Sequence, residues 1–487
     1  MTTVIYGGFF MHSFLKNTSF IGNQWVQGNS NDILQVKNKY NHSLLAEISY
    51  LNADQLDSAF DISQVAYEQM KNWDAGKRSE LLEKLQVALI GQKESFAQLI
   101  SAEAGKPIEY ANAEIERCIT TLQMSAEEAR RISGEVVPMD FGIGVGKNAF
   151  TQRFPVGIIG CISPFNFPLN LALHKIGPAL ALGNSVILKP SPYTPLTALA
   201  FAALVQKVGY PAGAINVVIC ENDVAEKILT EDRVKVFSFT GSPQVGWELK
   251  NKAKKKKVIL ELGGNAAVIV DHSADLELAC EKVVPGAFLY SGQICISTQR
   301  VYVDSGVYDE FIERLLERTE EVESGNPANK KVINGPIIDE VHINRIHEWV
   351  QEAVAGGARV LTGGHILDEE HNIYAPTILT DTTPDMKVVS EEIFGPVLIV
   401  ERTDYFDDAV ELVNDSKFGL QAGLFTNQIS QMKYAFSKLE VGALLINNIP
   451  GFRIDNMPYG GVKDSGLGRE GIKYTIEEMS EPKLMIF

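Results

Sequence analysis

The chain has 487 residues, 45% of them hydrophobic and 22% charged, which is a soluble globular composition with length for roughly two to four domains. Its formal net charge of -17 argues against nucleic acid and anionic membrane as partners, and no run of about 18 apolar residues predicts a membrane span. The five cysteines, Cys118, Cys161, Cys220, Cys280 and Cys295, are odd in number and irregularly spaced. No disulfide framework is expected from them, and a reducing cytoplasm is the simplest location.

The first stretch, MTTVIYGGFFMHSFLKNTSF, lacks a basic start, a clean apolar centre and a small-residue cleavage site, so it reads as an N-terminal arm. Residues 52–130 place apolar side chains every three or four positions and predict helices. SGEVVPM and NAFTQRFPVG read as strands joined across DFGIGVGK. Lys147 stands where the third glycine of a dinucleotide fingerprint belongs, so a hairpin is the better reading there.

From residue 156 the pattern changes. VGIIGCI predicts a strand buried on both faces, followed by a helix over 169–182, the strand SVILKP, a helix over 195–208, INVVI, a helix near 223–230 and VKVFSFTG. This alternation predicts a doubly wound α/β sheet, which KKVILELGGNAAVIV continues. KAKKKK, at 252–257, reads as a solvated approach to that strand. A second alternation after 270 runs through RVYVDS, RVLTGG, EEIFGPVLIVER and GALLINN and predicts a second α/β domain. HINRIH sets His342 and His347 five apart, off one helical face, so a surface helix and no metal site is expected. KLMIF is a strand with no obvious partner in either domain.

Five short segments carry chemistry. In SGQICISTQR, Cys295 follows a loosened glycine-containing backbone; a lone cysteine is more often a small core residue, and only its company raises its interest. LELGGN places Glu261 in an apolar strand ahead of Gly263 and Gly264, where burial would tune a carboxylate toward a general base. The bland alternative is a glutamate facing solvent at a strand end. SPFNFPLN holds Asn166 in a stiff loop after a buried strand, suited to an oxyanion donor or simply to a turn. Lys189 ends the strand of ILKPSPYTP and can reach ribose hydroxyls or a phosphate. In FTGSPQVG, Gly241 and Ser242 open a helix whose N-terminus suits an anion.

Taken in this order, with EEIFGPV and MPYGGVKDSGLGREG and the 34 positions from Glu261 to Cys295, these segments resemble the aldehyde dehydrogenase superfamily from about residue 20 onward. The resemblance implies Cys295 as nucleophile, Glu261 as general base, and Asn166 with the Cys295 backbone N–H as oxyanion hole. It implies NAD or NADP as cofactor, held by Ile162, Phe165, Lys189, Ser191, Gly241, Ser242, Val245, Leu262, Glu392 and Phe394. It also implies two doubly wound α/β domains and a small β oligomerisation element. These are a cofactor domain over 15–130 and 150–262, a catalytic domain over 263–450, and subunit-spanning strands in 131–149 and 470–487. A homodimer or homotetramer is the assembly expected.

One departure bears on the cofactor. Pro192 stands where many NAD-preferring members carry a glutamate, so NADP should be tolerated. The motifs most resemble members oxidising small polar aldehydes, such as lactaldehyde-like ones, with aromatic aldehydes as a second class. Arg453 either meets an anionic substituent or is a surface residue paired with Asp455. The rival functions are an acylating, coenzyme A-dependent dehydrogenase, a non-catalytic scaffold and a thiol hydrolase. Retention of Glu261 argues against the first, and retention of Cys295 and Glu261 together argues against the second.

Overall fold

A computed structural model describes residues 17–487. Most of the expected N-terminal arm, up to residue 16, lies outside the described residues. Its far end is not an arm: Ser19–Ile21 is a buried strand paired antiparallel with Gln24–Val26 and with Ile215–Val217.

These strands are one edge of an eight-stranded sheet. Beyond them lie Ile215–Val217, Ser185–Lys189, Ile158–Ile162, Val234–Thr240, Lys257–Glu261 and Gly466–Leu467, in that spatial order. The five central strands are parallel, and the chain winds outward first to one side of Ile158–Ile162 and then to the other. That reversal opens a crevice at the carboxyl ends of Ile158–Ile162 and Val234–Thr240, the place where such sheets take ligands.

A seven-stranded sheet follows, ordered Arg359–Thr362, Thr377–Thr380, Val397–Thr403, Thr298–Asp304, Ala266–Val270, Gln421–Phe425, Ala443–Ile446. All of its pairings are parallel except Arg359–Thr362 with Thr377–Thr380. The segment KKVILELGGNAAVIV does not continue one sheet. Lys257–Glu261 belongs to the first and Ala266–Val270 to the second, so the change of sheet falls at Leu262–Asn265. A third sheet pairs Ser480–Ile486 with Ala149–Pro155, which pairs in turn with Val136–Val137. The apolar tail thus finds its partner in the predicted hairpin.

Four helices fill the predicted helical region: Ala53–Met70, Ala75–Ile90, Lys93–Ala104 and Ile108–Ala129. Asn52 and Gln55 cap the first reciprocally, and Asp74 caps the second, which is why each starts where it does. The helix Asn170–Leu182 is buried at every position, including His174 and Lys175. A helix apolar nearly all round belongs inside, and its two basic residues must therefore find partners there. Among the described residues no helix is long and apolar enough to cross a membrane.

Candidate active site

Parallel register lines up one edge of the first sheet. Ile162 sits beside Lys189 and Phe239, and Glu261 sits beside Thr240. The loop after Ile162 then carries Asn166 toward the second sheet. A buried ion pair braces that loop: Glu114 Oε1 accepts the N–H groups of Leu169 and Asn170 at 3.0 and 3.1 Å. Its other oxygen binds Lys106 at 2.5 Å, and the Lys106 ammonium lies 3.6 Å from the centre of the Phe167 ring. Asn166 is buried, and its amide nitrogen donates to the Gln293 carbonyl at 3.0 Å, two residues before Cys295. One amide hydrogen remains for another acceptor, because an NH₂ group carries two.

Cys295 is presented by a turn with three successive positive φ values, at Tyr290, Ser291 and Gly292. Non-glycine residues rarely hold that conformation unless their surroundings fix it. Here Tyr290 donates to Ala104 O at 2.8 Å, Ser291 to Gly335 O at 2.7 Å, and Gln293 Oε1 accepts from Ile338 N at 2.9 Å. Cys118, Cys161, Cys220 and Cys280 are buried free thiols; Cys295 alone of the five is only half-buried. Its Sγ lies 3.3 Å from the hydroxyl of Tyr459. Burial pushes the Cys295 thiol up to about 12, against a smaller opposing effect from Tyr459.

Glu261 is not the solvent-facing residue of the bland reading. It is 3% exposed, and neither carboxylate oxygen has a hydrogen-bond partner. Burial first, and the nearby Glu470 carboxylate second, hold it well above the usual carboxylate range. Gly460 lies against it; a side chain there would come within 2.9 Å of Oε1. Glu470 is also buried but is paired with Lys175 at 3.0 Å and Arg453 at 3.1 Å. Burial would raise its pKa, yet Lys175, Arg453 and His174 outweigh that and lower it.

On the other side of Cys295, Glu392 accepts the Gly264 N–H at 2.9 Å, and burial pushes its carboxyl up to about 7. The two glycines are needed here. A side chain at Gly263 would strike Glu392 Oε2 at 2.4 Å, and one at Gly264 would strike the Cys295 carbonyl at 2.2 Å. Lys189 is buried and its ammonium has no partner among the described residues; burial lowers its pKa. Ser191 accepts the Tyr193 N–H at 3.3 Å, and Pro192 is exposed. Gly241 donates its N–H to the Glu261 carbonyl at 3.1 Å, leaving Ser242, whose hydroxyl makes no capping bond, at the start of Pro243–Lys252. Val245 is exposed on that helix, while Leu262 is buried and donates to Ser465 O at 3.0 Å. Phe394 adopts φ +50 and packs edge-on to Phe165 at 5.9 Å. Among the described residues the Lys189 ammonium has no partner and Glu392 Oε2 no donor, so the set fits a ligand rich in hydroxyls and phosphate, as a nicotinamide dinucleotide is.

Arg453 departs from the surface reading. Its side chain is 5% exposed, pairs with Glu470, and lies with its guanidinium carbon 3.5 Å from the centre of the Tyr459 ring. Asp455 binds Arg117 at 2.7 Å and His174 at 2.8 Å instead. Tyr459, Glu470, Lys175 and His174 were not singled out from the sequence. The signal for the last two was there: a histidine and a lysine side by side in the otherwise apolar run LNLALHKIGPALAL.

The model of the aldehyde dehydrogenase family matches residues 25–485. The chain belongs to that family. It is similar to 3-sulfolactaldehyde dehydrogenase of Priestia aryabhattai, 43% identical over 456 residues covering 93% of this chain and 94% of the relative. It is similar to lactaldehyde dehydrogenase of Methanococcus aeolicus, 39% identical over 472 residues covering 96% and 99%. Among solved structures it matches aldehyde dehydrogenase 21 from Physcomitrella patens in complex with the reaction product succinate. That match has a TM-score of 0.93 and 37% identity, over 96% of this chain and 98% of that one. This family member is an oxidoreductase acting on aldehydes, with the α/β architecture of the family.

Proposed function

We propose that this aldehyde dehydrogenase oxidises a short polar aldehyde to its carboxylic acid with NAD or NADP. Cys295 is the nucleophile, Glu261 the base, and Asn166 with the Cys295 backbone N–H the oxyanion hole. The observation that carries this is Glu261: a buried carboxylate with both oxygens unpartnered, beside the one cysteine that is not buried. Such a group is costly to the fold, and its use is the transfer of a proton.

The thiol at rest holds its proton, so it must be deprotonated as it adds to the aldehyde carbon, and Glu261 is the acceptor nearest in chemistry. The free amide hydrogen of Asn166 then meets the alkoxide. Bound NAD(P) would supply the hydride acceptor for the former aldehyde carbon. Glu261, having released the first proton to solvent, deprotonates the water that attacks the thioester left on Cys295; collapse expels the thiolate, which takes that proton back as the acid departs. Lys189 and Glu392 would hold the cofactor's riboses, Ser242 and Val245 would meet its pyrophosphate, and Phe165 and Phe394 would pack at the nicotinamide end. Ile162, Ser191, Gly241 and Leu262 line the path between. Short polar substrates are supported by the names of the two relatives, both of which act on three-carbon hydroxyaldehydes.

The domain division proposed is 15–130 with 150–262 for the cofactor and 263–450 for catalysis. The strands in 131–149 and 470–487 join subunits of a homodimer or homotetramer. The third sheet supports this, since Ser480–Ile486 is paired along one edge only, and Leu484, Met485 and Ile486 are exposed. Formation of reduced nicotinamide across lactaldehyde, other short polar aldehydes and benzaldehyde, with each cofactor, tests the reading. Turnover of benzaldehyde alone overturns it, as does a product that requires coenzyme A.

A further inference from the structure

Among the described residues the Cys295 thiol makes a single side-chain hydrogen bond, with the Tyr459 hydroxyl at 3.3 Å, and that hydroxyl has no other partner. While the thiol holds its proton, either group can donate. Once the proton has left, the sulfur has no hydrogen to give and only the phenol can donate. The same contact then becomes a charge-assisted bond, roughly twice as strong as a neutral one. It serves the charged form of the nucleophile better than the resting form.

The surroundings of the sulfur make such a donor necessary. Burial is the largest obstacle to a negative charge there, and the Glu392 and Glu261 carboxylates add to it. Tyr459 and then Arg453 act in the opposite direction. Tyr459 packs with Ile296 and Leu420, and Ile294 and Cys295 lie against this small apolar cluster, where water is a poor substitute for a fixed donor. The tyrosine is itself 3% exposed. Burial first, and Cys295 second, hold its phenol well above the ordinary tyrosine range, so its hydrogen stays in place to be shared.

The donor is also held in position. Tyr459 and Glu470 exchange backbone hydrogen bonds at 3.0 and 2.6 Å, and the Arg453 guanidinium lies 3.5 Å from the centre of the tyrosine ring. A cation on the ring face fixes the ring and draws on its π electrons. The hydroxyl therefore meets the sulfur without having to be ordered during the reaction.

We propose that Tyr459 is a catalytic residue whose hydroxyl donates to the Cys295 sulfur as the thiolate forms, and again as the thiolate leaves the thioester. Tyr459 keeps its proton throughout, and the proton of Cys295 passes to Glu261. The inference rests on the reading of Cys295 as nucleophile.

Iodoacetamide reacts with the thiolate, so its rate against pH, without aldehyde or cofactor, reads the titration of Cys295. Cys295→Ala supplies the background from the four buried thiols. Tyr459→Phe keeps the ring and the main-chain bonds and removes only the hydroxyl. It should move the titration of Cys295 upward, slowing alkylation near neutral pH about tenfold. It should also lower kcat/KM about 10–100-fold for the aldehyde the native protein turns over best, with dinucleotide affinity within about threefold of native. An unchanged alkylation profile overturns the proposal, whatever the turnover, and leaves Tyr459 a packing residue. Replacement of Tyr459 by 3-fluorotyrosine guards against a folding defect, because it keeps the size and the hydroxyl and makes the phenol a stronger donor. It should move the Cys295 titration below that of the native protein; no movement, or movement upward, overturns the proposal. Full turnover after Cys295 has been alkylated sinks the reading of Cys295 as nucleophile, and this inference with it.

Discussion

The two sides of Cys295 are built by opposite means. Toward the crevice of the first sheet, polar groups stand apart: among the described residues Lys189 has no partner and Glu392 has one N–H, with glycine backbone close by at Gly263 and Gly264. Toward Arg453, charges are crowded and bonded to one another, with Glu470 and Asp455 each shared by two basic side chains. A side left unsatisfied by the protein is one whose bonds a large ligand completes. A side already bonded is stiff and selects among small ligands by charge and shape. Glu261 lies where the two meet, buried with neither oxygen bonded among the described residues.

The largest test of this division is removal of the centre. Cys295→Ala should lower turnover of every aldehyde at least a thousandfold, on the order seen when a nucleophile is deleted, while leaving dinucleotide binding unchanged by fluorescence titration. Retention of a tenth of the activity would place the nucleophile elsewhere. Glu261→Gln should slow thioester hydrolysis by about 10²–10⁴-fold and hydride transfer less, so that rapid mixing shows a burst of reduced nicotinamide and then a slow steady state. A uniform slowdown without a burst, provided the native enzyme is not limited before hydride transfer, counts against the base. Asn166→Ala should remove about 2.7–4 kcal/mol of transition-state stabilisation, read as lost kcat. A rise in KM at constant kcat would make it a binding residue only.

Smaller effects probe each side separately. Pro192 can neither accept a ribose hydroxyl through a carboxylate nor repel a 2′-phosphate. Activity with NADP is therefore expected, and Pro192→Glu should move the NAD/NADP ratio of kcat/KM toward NAD by about tenfold or more. A native enzyme confined to NAD, with that ratio unmoved, would place selectivity elsewhere. Glu261 also has a signature in stability. Its pKa is raised in the fold, so the protonated acid is the stabilising form. That contribution is complete below the unfolded value of about 4.3 and is lost as pH rises through the folded value. Glu261→Gln is neutral throughout, so its Tm relative to the native protein should climb as pH is raised from about 5 to about 9. A constant gap would mean Glu261 does not titrate in that manner.

Legibility in the sequence follows the same division. Asn166, Lys189, Glu261 and Cys295 each lie in a short stretch whose turn residues and apolar flanks announce a strand end, so they stood out locally. The alternation of strands and helices was equally plain from 156 to 240. The change of sheet inside LELGGNAAVIV was not plain from periodicity, because Leu262–Asn265 is a short break between two apolar runs that read as one continuing sheet; only the family resemblance put a boundary at 262/263. The bonded side of the site was hidden for a different reason. Lys175 meets Glu470 across 295 positions and Arg117 meets Asp455 across 338, and no local pattern encodes such a meeting. Arg453 stood in a polar loop where a surface pairing with Asp455 and a role facing substrate were equally open, and the fold buries its side chain against Glu470 and Tyr459.

Those distances along the chain also set an order in time. Residues 453–470 are translated after nearly everything they touch, and Gly466–Leu467 must then slot antiparallel beside Lys257–Glu261 to hold them there. Pairings of such long range are slow to form and come late. The wall of the site beyond Cys295 is therefore complete only once Gly466–Leu467 has paired, joining the two ends of the chain's catalytic half in one edge of the first sheet.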